Sequence, residues 1–193
     1  MYITPIFSSF FAELNIADQI DNNAIKKYCS SIEKNGQVPL DTDCQELLPL
    51  TNWTIEQANS IKEIQGIDES VKIKLDNCWI NNSIDATNTH SNFPHTHINY
   101  WISFVYYVSA EPNCGSLILM PPHLNIETSL PRAFISSPNL YNAARWTVVP
   151  KESLAVVFSS WLTHYVEPNH SNSPRISIAY NFSLPHQNHL ITD

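Results

Sequence analysis

Three histidines and an arginine in this chain have the types and spacing of a metal-and-anion site. His95 and His97 stand one residue apart in "FPHTHINYWISFVYYV", Phe93 to Val108. Side chains at i and i+2 of a strand point to one face, so two imidazoles can reach a single point. Two are too few for a catalytic metal, which takes about three protein ligands and open positions beside them. The third candidate is His164 in "FSSWLTHYVEPN", where an apolar run meets turn residues. A histidine there can face a metal at a barrel mouth or serve as a hydrogen-bonded rim residue. His90 lies an odd number of residues from both His95 and His97. It shares their face only across a turn, so it reads as a loop residue first and as the alternative ligand second. His123, His170, His186 and His189 sit in polar or proline-flanked segments and read as loop residues, with His123 opening a long insertion.

Eleven residues after His164 comes Arg175, in "SPRISIAYNFSL". Period-two alternation puts Arg175, Ser177, Ala179 and Asn181 on one face of that strand. An inward arginine is expected to meet an anion, because an unpaired buried charge is strongly unfavourable. Its planar fork matches a carboxylate, to which Ser177 can add a hydrogen bond. A structural salt bridge is the plainer alternative.

These residues need a scaffold. The first third has helical signals: "ADQIDNNAIKKYCSSIEKNG" has Asp21 or Asn22 as caps and Gly36 as a stop. In "NWTIEQANSIKEIQ", Thr54 and Gln57 have capping-box spacing. From Val71 onward the runs "VKIKLDNCWI", "YWISFVYYVSA", "GSLILMPP", "WTVVP", "SLAVVFSSWLTHYV" and "RISIAYNFSL" predict short strands divided by Pro, Asn and Ser. That pattern predicts a sandwich, jelly roll or barrel, interrupted by an irregular insertion at about residues 121–146.

The 193 residues are 43% hydrophobic and 11% aromatic, enough for one packed domain. Ten basic against 18 acidic residues give a net charge of -8, which disfavours nucleic acid as a partner. Cys29, Cys44, Cys78 and Cys114 lack CxxC spacing and read as free thiols of a reducing compartment. "MYITPIFSSFFAEL" lacks the basic start and sustained apolar core of a signal peptide, and no run is long enough to span a bilayer. A cytoplasmic protein is expected, its oligomeric state (a homodimer included) left open.

Taken in order, Trp79 and Asn81 in "CWINN", His95 and His97 in "PHTH", "SFVYYV" from Ser103, His164, and Arg175 with Ser177 resemble a family of 2-oxoglutarate/iron(II) oxygenases. The resemblance runs from about residue 71 to 183. It implies a mainly-β, α+β chain with a double-stranded β-helix (jelly-roll, cupin-like) core. The single domain 1–193 would comprise a helical supporting region 1–70 and a core 71–185. It further implies Fe(II) on His95, His97 and His164, and 2-oxoglutarate held by Arg175, Ser177 and Tyr107. O2 and a second substrate, small molecule or protein side chain, would then react in a hydroxylation. Trp79, Asn81, Ser103 and Arg145 would frame the pocket of that second substrate, with Arg132 and Tyr141 beside Arg145 in the insertion. The wider superfamily uses His-x-Asp or His-x-Glu, whereas the chain has His-x-His, which leaves the metal site one charge more positive. Two other readings stay open from the residues themselves. Three imidazoles on antiparallel strands also suit a zinc ion that activates water, and a cupin-like module could carry inert histidines.

Overall fold

Strand alternation sorts the side chains of this protein into two layers. The computed structural model describes residues 9–32, 36–82, 92–122, 130–139 and 141–185. Among these, the strands are β1 (Phe11–Asn15), β2 (Gly36–Pro39), β3 (Lys74–Asn82), β4 (Asn92–His95) and β5 (Ile102–Ser109). They continue with β6 (Leu117–Leu119), β7 (Trp146–Val148), β8 (Leu154–Ser159), β9 (His164–Val166) and β10 (Ile176–Ser183). A six-stranded sheet has the order β1-β8-β5-β10-β3-β2, and a four-stranded sheet the order β4-β9-β6-β7. Every described pairing is antiparallel. Two facing antiparallel sheets of this kind form the double-stranded β-helix core that the resemblance implied, within the sandwich, jelly-roll or barrel class expected from the strand pattern.

On β5 and β10 the even-numbered residues Phe104, Tyr106, Ile178, Tyr180 and Phe182 face helices α1 (Asn22–Ser30) and α2 (Leu48–Ile64). The odd-numbered ones turn toward the smaller sheet, where Tyr107, Leu117, Leu119, Val156, Phe158 and Leu162 form a second apolar layer. Phe104, Tyr106, Tyr180 and Phe182 are almost wholly buried, and each such side chain contributes about 1.5–3 kcal/mol. The helices are keyed on polar pairs as well: the Tyr106 hydroxyl donates to Asn22 Oδ1 at 2.9 Å, and Asn22 Nδ2 donates to the Val108 carbonyl at 3.1 Å.

Several sequence expectations need correction. Two strands, β1 and β2, lie within the segment expected to be helical, and they form the two edges of the larger sheet. Asp21 caps α1 as expected, accepting from Asn23 N and Ala24 N. Gly36 does not stop that helix; with φ 89° it opens β2. Thr54 and Gln57 form no capping box, because α2 begins six residues earlier. Pro49 suits the first turn, where its missing N–H costs nothing, and Leu47 and Leu50 are fully buried there. Thr54 Oγ1 instead donates to the Thr51 carbonyl inside the helix. The run "SLAVVFSSWLTHYV" is two strands, not one. A turn closed by Leu162 N to Ser159 O at 2.9 Å passes the chain from β8 in the larger sheet to β9 in the smaller.

Candidate metal centre and its cavity

His95 ends β4 and His164 begins β9, and the two are direct cross-strand partners. His97 lies just beyond β4. Its N–H donates to the Ser160 carbonyl at 2.9 Å, which pins that loop to the turn between β8 and β9. The ring centroids are 4.4 Å apart for His95–His164, 4.9 Å for His97–His164 and 5.2 Å for His95–His97. One nitrogen from each ring lies within 4.8 Å of the others.

The hydrogen bonds assign the tautomers. His95 Nδ1 is 2.7 Å from the Phe93 carbonyl and His164 Nδ1 is 2.8 Å from the Leu162 carbonyl. His97 Nδ1 is 2.9 Å from Asn181 Oδ1. Carbonyl and carboxamide oxygens only accept, so each Nδ1 carries a proton, and the lone pair of the neutral ring lies on Nε2. The Nε2 atoms of His95 and His97 are 3.3 Å apart. Two lone pairs facing at that distance repel unless a cation lies between them. With metal–nitrogen bonds of about 2.0–2.1 Å, one ion can bind both nitrogens. Burial holds His97 below the usual imidazole pKa, with the neighbouring His95 acting in the same direction and the Asn181 hydrogen bond opposing it. Burial likewise lowers His164 to about 4, helped by His95 and His97 and opposed by the Leu162 carbonyl. Both rings are therefore neutral at pH 7, as metal ligation requires.

Ser103 supports His97 from behind. Its Oγ donates to Asn181 Oδ1 at 2.7 Å and lies 3.0 Å from His97 Nδ1 and 2.8 Å from Ser160 Oγ. Ser103 and Asn181 are cross-strand partners on β5 and β10 and are almost fully buried. Partners that orient a ligating histidine through its second nitrogen fix both its tautomer and its aim. The Trp79 ring meets His97 at 5.7 Å.

The histidines open onto a cavity of about 120 Å³ between the sheets, which Trp79, Asn81, Tyr107, Arg175 and Ser177 also line. Tyr107 lines the cavity, and Asn99 (φ 70°) turns the chain between His97 and β5. Burial keeps the Tyr107 phenol protonated, although Arg175 pulls the other way. Arg175 is 9% exposed. Its Nη1 donates to the carbonyls of Cys114, Gly115 and Glu167. The expectation that this charge must meet an anion is thus modified: backbone dipoles already hold one end of the guanidinium. Gly115 makes this cradle feasible. It has φ +86°, and a Cβ there would stand 2.3 Å from the Glu167 carbonyl oxygen and 2.7 Å from Arg175 Nη1.

The structure gathers most of the sequence candidates but not all. His95, His97, His164, Arg175, Ser177, Tyr107, Trp79, Asn81 and Ser103 line one cavity. Arg145 does not; it is exposed and shares a separate groove with Arg132 and with Trp146 of β7, an edge strand of the smaller sheet. Tyr141 is exposed outside both. His90, His123, His186 and His189 lie outside the described residues, and His170 is exposed. Sequence reading placed Asn181 on the correct face without seeing its role toward His97, and it missed Gly115 and Gln37. The glycine had a signal, since it sits in "PNCGS", a turn sequence, in a chain with only 3 glycines.

A family model described as "Putative 2OG-Fe(II) oxygenase" matches residues 77–181, more than half of the chain. The match contains all three histidines, Arg175 and Ser177. Among curated proteins none matches. A prolyl-4-hydroxylase from Pseudomonas putida is similar at TM-score 0.60 and 14% identity, covering 93% of this chain and 95% of that one. A prolyl hydroxylase from Trichoplax adhaerens, in complex with a hypoxia inducible factor peptide fragment, has TM-score 0.62 and 13% identity, with 95% and 87% covered. An oxidoreductase of the 2OG-Fe(II) oxygenase family from Burkholderia pseudomallei has TM-score 0.50 and 14% identity. There 79% of this chain is covered, and it spans 65% of that relative's length. These likenesses establish the shared double-stranded β-helix fold, and the extent of the family match establishes more: the chain belongs to the 2OG-Fe(II) oxygenase family.

Proposed function

We propose that the chain is an Fe(II)- and 2-oxoglutarate-dependent hydroxylase whose own substrate is a small molecule or a protein side chain. In this reading His95, His97 and His164 hold the iron through Nε2, and Arg175, Ser177 and Tyr107 receive the distal carboxylate of 2-oxoglutarate. The observation that carries it is the convergence of three Nε2 lone pairs, each committed by a hydrogen bond on its own Nδ1. Bound iron with 2-oxoglutarate and O2 supplies the oxidation of a substrate C–H bond, giving the hydroxylated product, succinate and CO2.

The protein's part is to orient and to exclude water. Phe158 packs on His164 at 4.8 Å, and Val105 and Leu117 line the same wall. Asn181 and Ser103 hold His97 from turning, so its lone pair stays on the cavity side. Arg175, anchored on three carbonyls, offers fixed positive charge at the far end, where a carboxylate gains without reorganisation of the site. Three imidazole donors would also suit zinc, but that reading gives Arg175 and Ser177 no part in the chemistry. All four cysteines are free thiols, which fits the reducing, cytoplasmic setting proposed for the enzyme. No helix among the described residues is long and apolar enough to cross a membrane.

The test is succinate formation from 2-oxoglutarate with Fe(II) under air, across candidate substrates, for wild type, His95→Ala and Arg175→Ala. Wild-type turnover lost in both variants is expected. Retention of zinc through anaerobic purification, with no uptake of 2-oxoglutarate, would overturn the proposal in favour of the zinc reading.

A further inference from the structure

Gln37, Asn81, Ser177 and Tyr107 form a row across four strands of the larger sheet. Gln37 pairs with Asn81, Asn81 with Ser177, and Ser177 with Tyr107. All four line the cavity. Paired positions on antiparallel strands carry side chains on the same face about 4.5–5.5 Å apart, close enough to interact in sequence. Trp79, two residues before Asn81 on β3, faces the same way.

Hydrogen-bond chemistry gives this row a direction. The Trp79 indole N–H can only donate, and it lies 3.2 Å from Asn81 Oδ1. Gln37 Nε2 donates to the same oxygen at 3.1 Å. The donor-only Trp79 N–H fixes the Asn81 amide, since a flipped amide would oppose N–H to N–H, and Gln37 Nε2 then adds a second donor to the same oxygen. Asn81 Nδ2 is therefore the atom that faces Ser177 Oγ, at 3.5 Å. That contact is long, so its effect is directional more than a large source of affinity. An N–H on Oγ leaves the Ser177 hydroxyl proton to point away from Asn81, into the cavity that Arg175 and Tyr107 share.

We propose that Asn81, oriented by Trp79 and Gln37, is a positioning residue that makes Ser177 a hydrogen-bond donor to a carboxylate at the Arg175 end of the cavity. The inference rests on the proposed seat of the 2-oxoglutarate carboxylate there. Arg175 has no acceptor atoms, so with Ser177 turned to donate, that end of the cavity presents donors to a group that only accepts. Asn81 and Trp79 then serve the cosubstrate end, whereas the motif alone assigned them to the pocket of the second substrate.

The experiment is calorimetric titration of 2-oxoglutarate into anaerobic Fe(II)-loaded protein with no second substrate present. Fe(II) affinity and Tm are measured alongside for each variant. Asn81→Ala is expected to weaken 2-oxoglutarate about five- to tenfold, the scale of one lost hydrogen bond. Asn81→Asp, of the same shape, is expected to weaken it at least tenfold more, because an acceptor-only neighbour recaptures the Ser177 proton. Trp79→Phe should give a loss no larger than that of Asn81→Ala. In a Ser177→Ala background, Asn81→Ala should cost nothing further, since the chain of bonds ends at Ser177. Binding by Asn81→Ala within twofold of wild type, or an equal additional loss without Ser177, would overturn the proposal. So would a parallel loss of Tm and Fe(II) affinity, which marks a scaffold role. Wild-type protein that binds Fe(II) but no 2-oxoglutarate would instead remove the parent reading, and this inference with it.

Discussion

Gly115→Ala separates the two ends of the site. The residue has φ +86°, and its added methyl would meet the Glu167 and Pro168 carbonyl oxygens at 2.3 and 2.6 Å and Arg175 Nη1 at 2.7 Å. An L-residue in the left-handed region costs about 1–2 kcal/mol. The clash is with backbone oxygens that cannot rotate away, so the guanidinium must leave its carbonyl cradle. A hydrogen bond to a charged group is worth about 1.5–3 kcal/mol, so with a net loss of one of the three as solvent replaces the others, the sum with the strain is about 2.5–5 kcal/mol of lost stability. For a chain of this size that is a fall in Tm of about 5–20 °C, read by calorimetry on the metal-free protein. The same variant, assayed below its lowered Tm, should bind 2-oxoglutarate at least tenfold more weakly. Fe(II) affinity should stay within about twofold of wild type, because the nearest atoms a Cβ there would meet belong to Glu167, Pro168 and Arg175. An unchanged Tm with unchanged 2-oxoglutarate binding would refute the argument that this glycine holds Arg175 in place.

Asn181→Ala frees His97 Nδ1 and should weaken metal binding about 10–100-fold with the fold retained by circular dichroism; equal Fe(II) affinity would refute the orienting role. In metal-free protein, His164 has a pKa of about 4 against an ordinary 6.5, so the folded state binds fewer protons than the unfolded one. Stability is therefore full above pH 6.5 and is lost as pH falls from there toward 4. A loss of about 2 kcal/mol between pH 7 and pH 5 is expected by urea denaturation, and a constant midpoint would contradict it. Burial pushes the Cys29 and Cys78 thiols up to about 12, so at pH 8 a thiol reagent should modify them at least a thousandfold more slowly than an unfolded control. Partly exposed Cys44 should react first, as peptide mapping would reveal. Arg145→Ala should leave 2-oxoglutarate affinity unchanged by calorimetry, since Arg145 lies in a separate groove.

Parity made much of the site readable. Odd-numbered polar residues on "RISIAYNF" and "SFVYYV" alternate with large apolar ones, and the fold buries the two sets on opposite faces of one sheet. That local periodicity, set by strand geometry, survives in any context that keeps the strand. It placed Arg175, Ser177 and Asn181 on one face of their strand from sequence alone, and His95 with His97 on one side of the chain. It could not show the break at Ser159–Leu162, because a tight turn and a strand bend share the same Ser and Trp residues. Nor could it show that α2 starts at Leu48, where burial of Leu47 and Leu50 outweighs a capping motif further on.

What the sequence by itself determined was the identity of the reactive groups and the face each strand would offer: three imidazoles, one guanidinium and their hydroxyl and amide neighbours. The tertiary structure alone decided which of them meet. His95 reaches His164 through a cross-strand register between β4 and β9. Its tautomer and that of His164 come from main-chain carbonyls, which every residue possesses and no motif records. The Arg175 cradle likewise joins Cys114, Gly115 and Glu167 across the fold, while Arg145, no less cationic, is carried to another surface. Register, carbonyl direction and loop path are set by packing between segments distant along the chain, and local residue preferences carry no information about them.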